Sequence, residues 1–205
     1  MPSWPSAPFR YNSGLWLLVQ ITPLPESLVG PRFVGLAAVF YGTLLFAAVV
    51  LGTVWDQDVF ATGYSPLFDL CVGALTACCT VVLGVFLYRS LPALRELGRE
   101  LAPQLVEGAR RRELVLVAVF SGVGEETFFR GALQPELGIV ATSILFGALH
   151  VGPDRRFLVW TFWAILAGFL FGFLYELTGG LLAPTTTHVL HNAATLLLWK
   201  RSRLK

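Results

Sequence analysis

The stretch LVLVAVFSGVGEETFFRG, Leu114–Gly131, combines two patterns that rarely occur together. Its first seven residues, Leu114–Phe120, are all apolar, as in a segment that crosses a lipid bilayer. Two adjacent glutamates, Glu125 and Glu126, and then Arg130 follow within the same stretch. On insertion scales a charged residue at a helix centre costs about 2.5–3.5 kcal/mol, whereas a good apolar residue returns only about 0.3–0.6 kcal/mol. The stretch therefore needs polar partners on neighbouring helices.

The composition of the 205-residue chain is that of a polytopic membrane protein. Hydrophobic residues make up 55% of it and charged residues 14%, whereas a soluble globular domain carries about 25% charged residues. The mean hydropathy of +0.68 agrees with that assignment. The three cysteines lie in one apolar segment, 71–79, and two of them are adjacent, which argues against a disulfide framework.

Six segments are predicted as membrane-spanning helices, for which about 20 mostly apolar residues are needed, although the fourth is short. They are Phe33–Val54, Ser65–Tyr88, Glu113–Leu133, Gly138–Val151, Phe157–Leu177 and Leu181–Trp199. The predicted fold class is therefore all-α, a polytopic transmembrane helical bundle of about six spans. Residues 1–32 are predicted as an N-terminal interfacial segment, because prolines interrupt their short apolar stretch. Residues 33–205 are predicted as a single membrane domain.

The basic residues predict the orientation of this bundle. Arg130 is the only one of the 15 lysines and arginines that falls inside a predicted span. The others fall in the two termini, in the loop between spans two and three, and in the loop between spans four and five. Basic residues accumulate on the cytoplasmic side, so both termini are predicted to be cytoplasmic. The Arg-rich, Lys-poor usage favours a multi-pass protein of the bacterial inner membrane.

Polar partners for the charged stretch occur in two other predicted spans. All three histidines lie in apolar segments: His150 ends the fourth span, and His188 and His191 lie in the sixth. Asn192 follows His188 by four residues, so the two share a helix face. At a rise of about 1.5 Å per residue, Glu125, His150 and His188 all fall near mid-depth. One cavity shared by the three side chains is therefore geometrically possible.

A structural ion pair is the alternative interpretation of the charges. Glu126 and Arg130 stand at i and i+4 and can pair on one helix face. Such a pair leaves Glu125 unexplained, and an ionisable residue inside a membrane indicates a functional site by default. A transporter with a proton-relay carboxylate is a further alternative, but no inverted repeat or broken helix pair in the sequence supports it.

The residue types in this group suit hydrolysis of a peptide bond. A glutamate in a low-dielectric pocket can act first as general base and then as general acid, and a neutral imidazole can hold and polarise the same water. His188 and Asn192, one helical turn apart, can both direct hydrogen-bond donors at an oxyanion. The set needs no serine or cysteine nucleophile.

The sequence leaves metal dependence open. Glu125, His150 and His188 could form a three-ligand zinc site with one open position. The H-E-x-x-H motif of zinc proteases does not occur in the chain. A metal-free site in which the glutamate activates the water, with no cofactor, is therefore the favoured prediction.

Three motifs, EETFFR (125–130), FGALH (146–150) and HVLHN (188–192), resemble those of the CPBP intramembrane protease family. The family comprises the CAAX-processing and bacteriocin-processing peptidases, also called Abi proteins. Its pattern is E-E-x-x-x-R, then F-x-x-x-H, then H-x-x-x-N or a similar small residue. The ordered trio on separate spans is a specific signal. The resemblance covers about residues 113–199 and implies a catalytic core of four helices.

The resemblance implies a catalytic set of six residues: Glu125, Glu126, Arg130, His150, His188 and Asn192. In this set Glu125 and His150 would activate the attacking water. The His188–Asn192 pair would form the oxyanion site.

The resemblance also implies that the Glu126–Arg130 pair positions and tunes the base, whereas His191 matches no position of the family pattern. The implied activity is hydrolysis of a peptide bond in a membrane-anchored or lipid-modified protein. The expected partners are that substrate protein or peptide and the lipid bilayer, with no nucleic acid. The family also includes the myxosortases, so the substrate stays open. A non-catalytic membrane scaffold or immunity protein with the same helical core is the main alternative.

Overall fold

The computed structural model describes residues 26–152 and 157–203, and every regular element within those ranges is helical. A seven-residue π-helix, Thr127–Leu133, which we call the π segment, connects the fourth and fifth α-helices. The α-helices are α1 Glu26–Trp55, α2 Pro66–Ser90, α3 Pro92–Val106, α4 Arg111–Glu126, α5 Gln134–Ala148, α6 Phe157–Thr178 and α7 Leu182–Arg203. The all-α prediction is confirmed.

Five of the six predicted spans each correspond to one α-helix, and the third corresponds to α4 followed by the π segment. Residues 1–25 of the predicted interfacial segment lie outside the described residues, and residues 26–32 form the first turns of α1. Within the part of the chain that the structure describes, three helices are long and apolar enough to cross a membrane: Arg32–Trp55, Pro66–Ser90 and Phe157–Thr178. This agrees with a helical membrane protein. The six-span count and the orientation stay predictions.

The charged stretch lies at the centre of the bundle. α4 packs against α1 on one side and α7 on another, while the π segment contacts α1 and α5. Two glycines of α4 permit these close approaches. A Cβ atom at Gly122 would overlap the Val189 side chain of α7, and one at Gly124 would lie 2.9 Å from the carbonyl oxygen of Tyr41 on α1. The acidic end of α4 is therefore enclosed by helices from both halves of the chain.

A backbone break near the start of α5 redirects the chain after the π segment. Gly138 has φ 74° and ψ 165°, a combination that is essentially restricted to glycine. The predicted fourth span begins at this same residue. The break lets the chain from residue 139 onward follow α6, against which α5 packs.

Candidate active site

Arg130 is a fully buried charge of the site, with 0% of its surface exposed. Its Nε lies 3.3 Å from Oε2 of Glu126, and its Nη2 donates a hydrogen bond of 2.9 Å to the carbonyl oxygen of Gly168 on α6. The guanidinium carbon lies 4.7 Å from the ring centroid of Phe146, within the range of a cation–π contact. The predicted Glu126–Arg130 ion pair is present, and it also ties the π segment to α6.

The π segment directs two polar side chains, those of Arg130 and Gln134, toward α6. Its last turn is closed by a bond from the backbone N–H of Gln134 to the carbonyl of Phe129, five residues earlier. Arg130 and Gln134 then donate to two carbonyl oxygens one turn apart on α6, those of Gly168 and Gly172. Short π segments of this kind occur often at functional sites.

Glu126 connects the arginine to a histidine of α7. Its Oε1 accepts a hydrogen bond of 2.7 Å from Nδ1 of His188, because a carboxylate can only accept. The His188 ring stacks on Phe171, with ring centroids 4.8 Å apart and an interplanar angle of 19°. The resemblance implies that Glu126 positions the base, but its direct contact is with His188. This contact fixes the imidazole and leaves Nε2 free.

Glu125 is the carboxylate that remains available for chemistry. It is 8% exposed, and its Oε2 has no hydrogen-bond partner among the described residues. Nε2 of His188 lies 3.9 Å from that oxygen. Tyr41, on α1, is a further polar residue beside this carboxyl group in the cavity that both line. A buried acid with an unpartnered oxygen is the expected geometry of a general base before its substrate binds.

Glu125 and His150 line the same cavity, which has a volume of about 160 Å³. The other lining residues are Phe40, Tyr41, Leu44, Phe129 and Leu149. Phe40 and Leu149, one from α1 and one after the end of α5, are more than half exposed and form part of the rim. The cavity is thus apolar apart from three groups: one carboxyl, one imidazole and one phenol.

His150 lies two residues after the end of α5 and is held by its own helix. Its Nδ1 donates a hydrogen bond of 2.7 Å to the carbonyl oxygen of Phe146, which leaves Nε2 as the unprotonated acceptor nitrogen. Thr161 of α6 donates from Oγ1 to the His150 carbonyl at 3.1 Å and fixes the backbone. An imidazole in this tautomer can accept a proton from a water in the cavity.

Asn192 reaches the site through a serine of α4. Its Nδ2 donates a hydrogen bond of 3.1 Å to Oγ of Ser121, and Ser121 precedes Glu125 by one helical turn. Asn192 therefore lies on the α7 face that carries His188 and next to the α4 face that carries Glu125. One of its two amide hydrogens stays free to donate.

His191 faces a different neighbour. Its Nδ1 lies 3.0 Å from Oγ1 of Thr80 on α2, and its ring is tilted against Trp163 of α6, with centroids 6.4 Å apart. No hydrogen bond in the described part of the chain links His191 to the carboxylates. This placement agrees with its absence from the motif pattern.

The structure brings the six predicted residues together. Four of them are joined by direct contacts: Glu125, Glu126, Arg130 and His188. His150 shares a cavity with Glu125, and Asn192 is connected to α4 through Ser121. Tyr41, Ser121 and the π segment were not predicted from the sequence. The sequence feature that could have identified Tyr41 was a polar phenol in the middle of an apolar predicted span. Nothing in the sequence indicated which helix would face it.

Glu125, His150 and His188, the possible zinc ligands, are not found as a three-residue group in the described part of the chain. Within residues 26–152 and 157–203, no three histidine, cysteine, aspartate or glutamate side chains lie in positions that could hold a metal ion together. His188 directs one ring nitrogen at Glu126, and His150 directs one at its own helix backbone. Both contacts are of the kind that orients an imidazole for proton transfer as well as for metal binding.

The fold and the site together define a helical membrane protein with a buried cluster of acidic groups, histidines and an arginine. Residues 111–194 match the family model described as Rce1-like, type II CAAX prenyl endopeptidase. All six candidate residues lie within the matched range, and the resemblance to CAAX-processing proteases is confirmed there.

A relative from Bacillus subtilis (strain 168), the uncharacterized protein YpbD, is 32% identical over 80 residues. That alignment covers 39% of the present chain and 42% of the relative, so the match spans less than half of either protein. No solved structure matches the chain significantly.

Proposed function

We propose that the protein is an intramembrane endopeptidase that hydrolyses a peptide bond by a water activated between Glu125 and His150. The observation that carries the proposal is their shared cavity, into which a buried carboxyl with an unpartnered Oε2 and an oriented imidazole both project. The match of residues 111–194 to a family of endopeptidases supports the same reaction.

The first step is addition of water to the scissile carbonyl. Glu125 accepts one proton from the water, and Nε2 of His150 holds the water by accepting a hydrogen bond from its other hydrogen. The oxygen forms a bond to the carbonyl carbon, and the carbonyl electron pair moves to its oxygen. A base and an orienting partner together account for about 10²–10⁴-fold in rate.

The second step is departure of the amine. His188, held by Glu126 at Nδ1, donates from Nε2 to the oxyanion in its doubly protonated form, and the free amide hydrogen of Asn192 donates beside it. The C–N bond then breaks as Glu125 returns its proton to the leaving nitrogen. The products are a carboxylic acid and an amine, and Glu125 is again ionised.

The substrate class follows from the location of the cavity. Its rim is apolar, and α1, which lines one side of it, is apolar enough to cross a membrane, so a membrane-anchored or lipid-modified protein is the expected substrate. The distribution of basic residues supports a multi-pass protein of the bacterial inner membrane with both termini in the cytoplasm.

The test combines a defined peptide with cellular substrates. Purified protein in liposomes is incubated with a farnesylated CAAX peptide, and membrane proteins of a strain lacking the gene are compared by their new termini. Wild type is compared with Glu125→Gln, His150→Ala and His188→Ala at matched membrane abundance. Two matched controls are Glu96→Gln, an exposed acid on α3, and His191→Ala. A chelator arm separates the metal-free protease from a zinc-dependent version.

We expect the cleavage rate of the three site variants to fall by at least about 10²-fold, since each removes a group that acts on the water or the oxyanion. The two control variants should keep the wild-type rate. Loss of cleavage with chelator, restored by zinc, would replace the metal-free mechanism. If the site variants keep wild-type cleavage, or if wild type produces no new terminus, the protein is the non-catalytic scaffold or immunity protein.

A further inference from the structure

Tyr41 is a polar side chain at the site that none of the motifs contains. It lies near the middle of α1, outside the matched residues 111–194, and lines the cavity together with Glu125 and His150. Its side chain therefore faces the same enclosed space as the Glu125 carboxyl. A phenol on an otherwise apolar helix needs a polar partner, and Glu125 and His150 are the other polar residues that line this cavity.

The backbone of α4 is built to receive this side chain. The Cβ of an alanine at Gly124 would lie 2.9 Å from both the Cβ and the carbonyl oxygen of Tyr41. Glycine at the position before Glu125 thus lets α1 approach close enough for the phenol to reach the carboxyl. The contact is a result of helix packing and does not depend on a mobile loop.

The other contacts of Glu125 explain why such a donor matters. His188 approaches Oε2 only to 3.9 Å, which is too long for a hydrogen bond, and Oε2 has no partner within the described ranges. Glu126 is engaged with Arg130 and with His188. Without the phenol, no short contact described for this carboxyl would keep it directed at the cavity.

We infer that Tyr41 is a positioning residue of the proposed protease, whose hydroxyl donates a hydrogen bond to Glu125 and keeps the carboxylate aimed at the water site shared with His150. This inference rests on the proposed function. It adds α1, which contributes no motif residue, to the catalytic unit.

The test is the change Tyr41→Phe, which removes only the hydroxyl. A hydrogen bond to a charged group corresponds to roughly a 10- to 100-fold effect, so we expect kcat to fall by that factor with KM unchanged. Tyr64→Phe is the matched control, because Tyr64 is 83% exposed. Both are assayed beside wild type and Glu125→Gln on the peptide that wild type cleaves.

A thermal double-mutant cycle of Tyr41→Phe and Glu125→Ala, measured in detergent, tests the contact without relying on activity. We expect the two losses in Tm to be less than additive, because both changes remove the same bond.

Three outcomes overturn the inference. The first is a wild-type kcat in Tyr41→Phe while Glu125→Gln is inactive. The second is a rise in KM alone, which would make Tyr41 a substrate contact. The third is a pair of strictly additive Tm losses in the double-mutant cycle. A wild-type protein that cleaves nothing would instead refute the proposed function. The thermal cycle would then still decide whether Tyr41 and Glu125 interact.

Discussion

Replacing Arg130 by methionine tests whether the centre of the bundle is held by electrostatics. Methionine has a similar length and is apolar, so the Arg130→Met change keeps much of the packing against Phe146. It removes the ion pair to Glu126 and the hydrogen bond to the carbonyl of Gly168. Glu126 and Arg130 are both 0% exposed, so water cannot replace what is lost.

The magnitude follows from that burial. Removal of one partner of a buried ion pair costs about 3–5 kcal/mol, mainly because the remaining charge is left uncompensated. For a chain of this size about 1 kcal/mol corresponds to a change in Tm of about 2–4 °C, so we expect a loss of about 6–20 °C. The double variant Arg130→Met with Glu126→Gln should recover more than half of the loss, because glutamine carries no charge and its oxygen can still accept from His188.

The assay is thermal unfolding of the purified variants in one detergent, supported by membrane abundance in cells. Arg89→Met is the control, because Arg89 is exposed in the last turn of α2, and changes at exposed positions usually stay within about 0.5 kcal/mol. A Tm of Arg130→Met within 2–4 °C of wild type, about the equivalent of 1 kcal/mol, would refute the reasoning. A double variant no more stable than the single one would show that the unpaired carboxylate is not the source of the cost.

Three further predictions use the same preparations. Gly168→Ala should destabilise the protein by about 1–3 kcal/mol in thermal unfolding, because the new Cβ would lie 3.0 Å from the α5 backbone. The control Gly35→Ala should cause no loss of stability, because its Cβ would meet nothing within 4 Å. Equal losses in the two variants would contradict the packing argument. Gly138→Ala should cost about 1–3 kcal/mol through its φ of 74° alone, and an unchanged Tm would show that the break relaxes. Asn192→Ala should lower kcat by about 10²–10³-fold as an oxyanion donor is lost while Tm stays near wild type, whereas a fall in Tm without a fall in kcat would assign it a structural role.

The apolar runs predicted most of the fold because membrane-spanning helices must satisfy their backbone hydrogen bonds internally. The predicted third span ends at Leu133, where the π segment ends, and the predicted fourth span begins at Gly138, where the backbone breaks. Depth along each helix was also predictable, since rise per residue is fixed. Similar depth made one cavity shared by Glu125, His150 and His188 geometrically possible. Glu125 and His150 line one cavity, and His188 is not among its lining residues.

Rotation about each helix axis could not be predicted in the same way. Sequence spacing shows which residues share a face, but the neighbour of that face is set by packing between helices. Hence the pairing of Glu126 with His188, and the approach of Tyr41 to Glu125, became apparent only in the structure. The spacing of Glu126 and Arg130 at i and i+4 fits an α-helix, and nothing in it indicated a π segment.

Because of the π segment, assembly of the site depends on rotation about the helix axis as well as on which residues are present. An α-helix turns by about 100° for each residue, whereas the wider turn of a π-helix accommodates a surplus residue. If Gly131 or Ala132 were deleted, regular α-helix could re-form, and everything after it would be rotated by about 100° relative to α4. Gln134 would turn away from α6, and His150 would turn away from Glu125, although every motif residue would still be present. A homologue with intact motifs and a one-residue deletion here would therefore carry the parts of the site without assembling them.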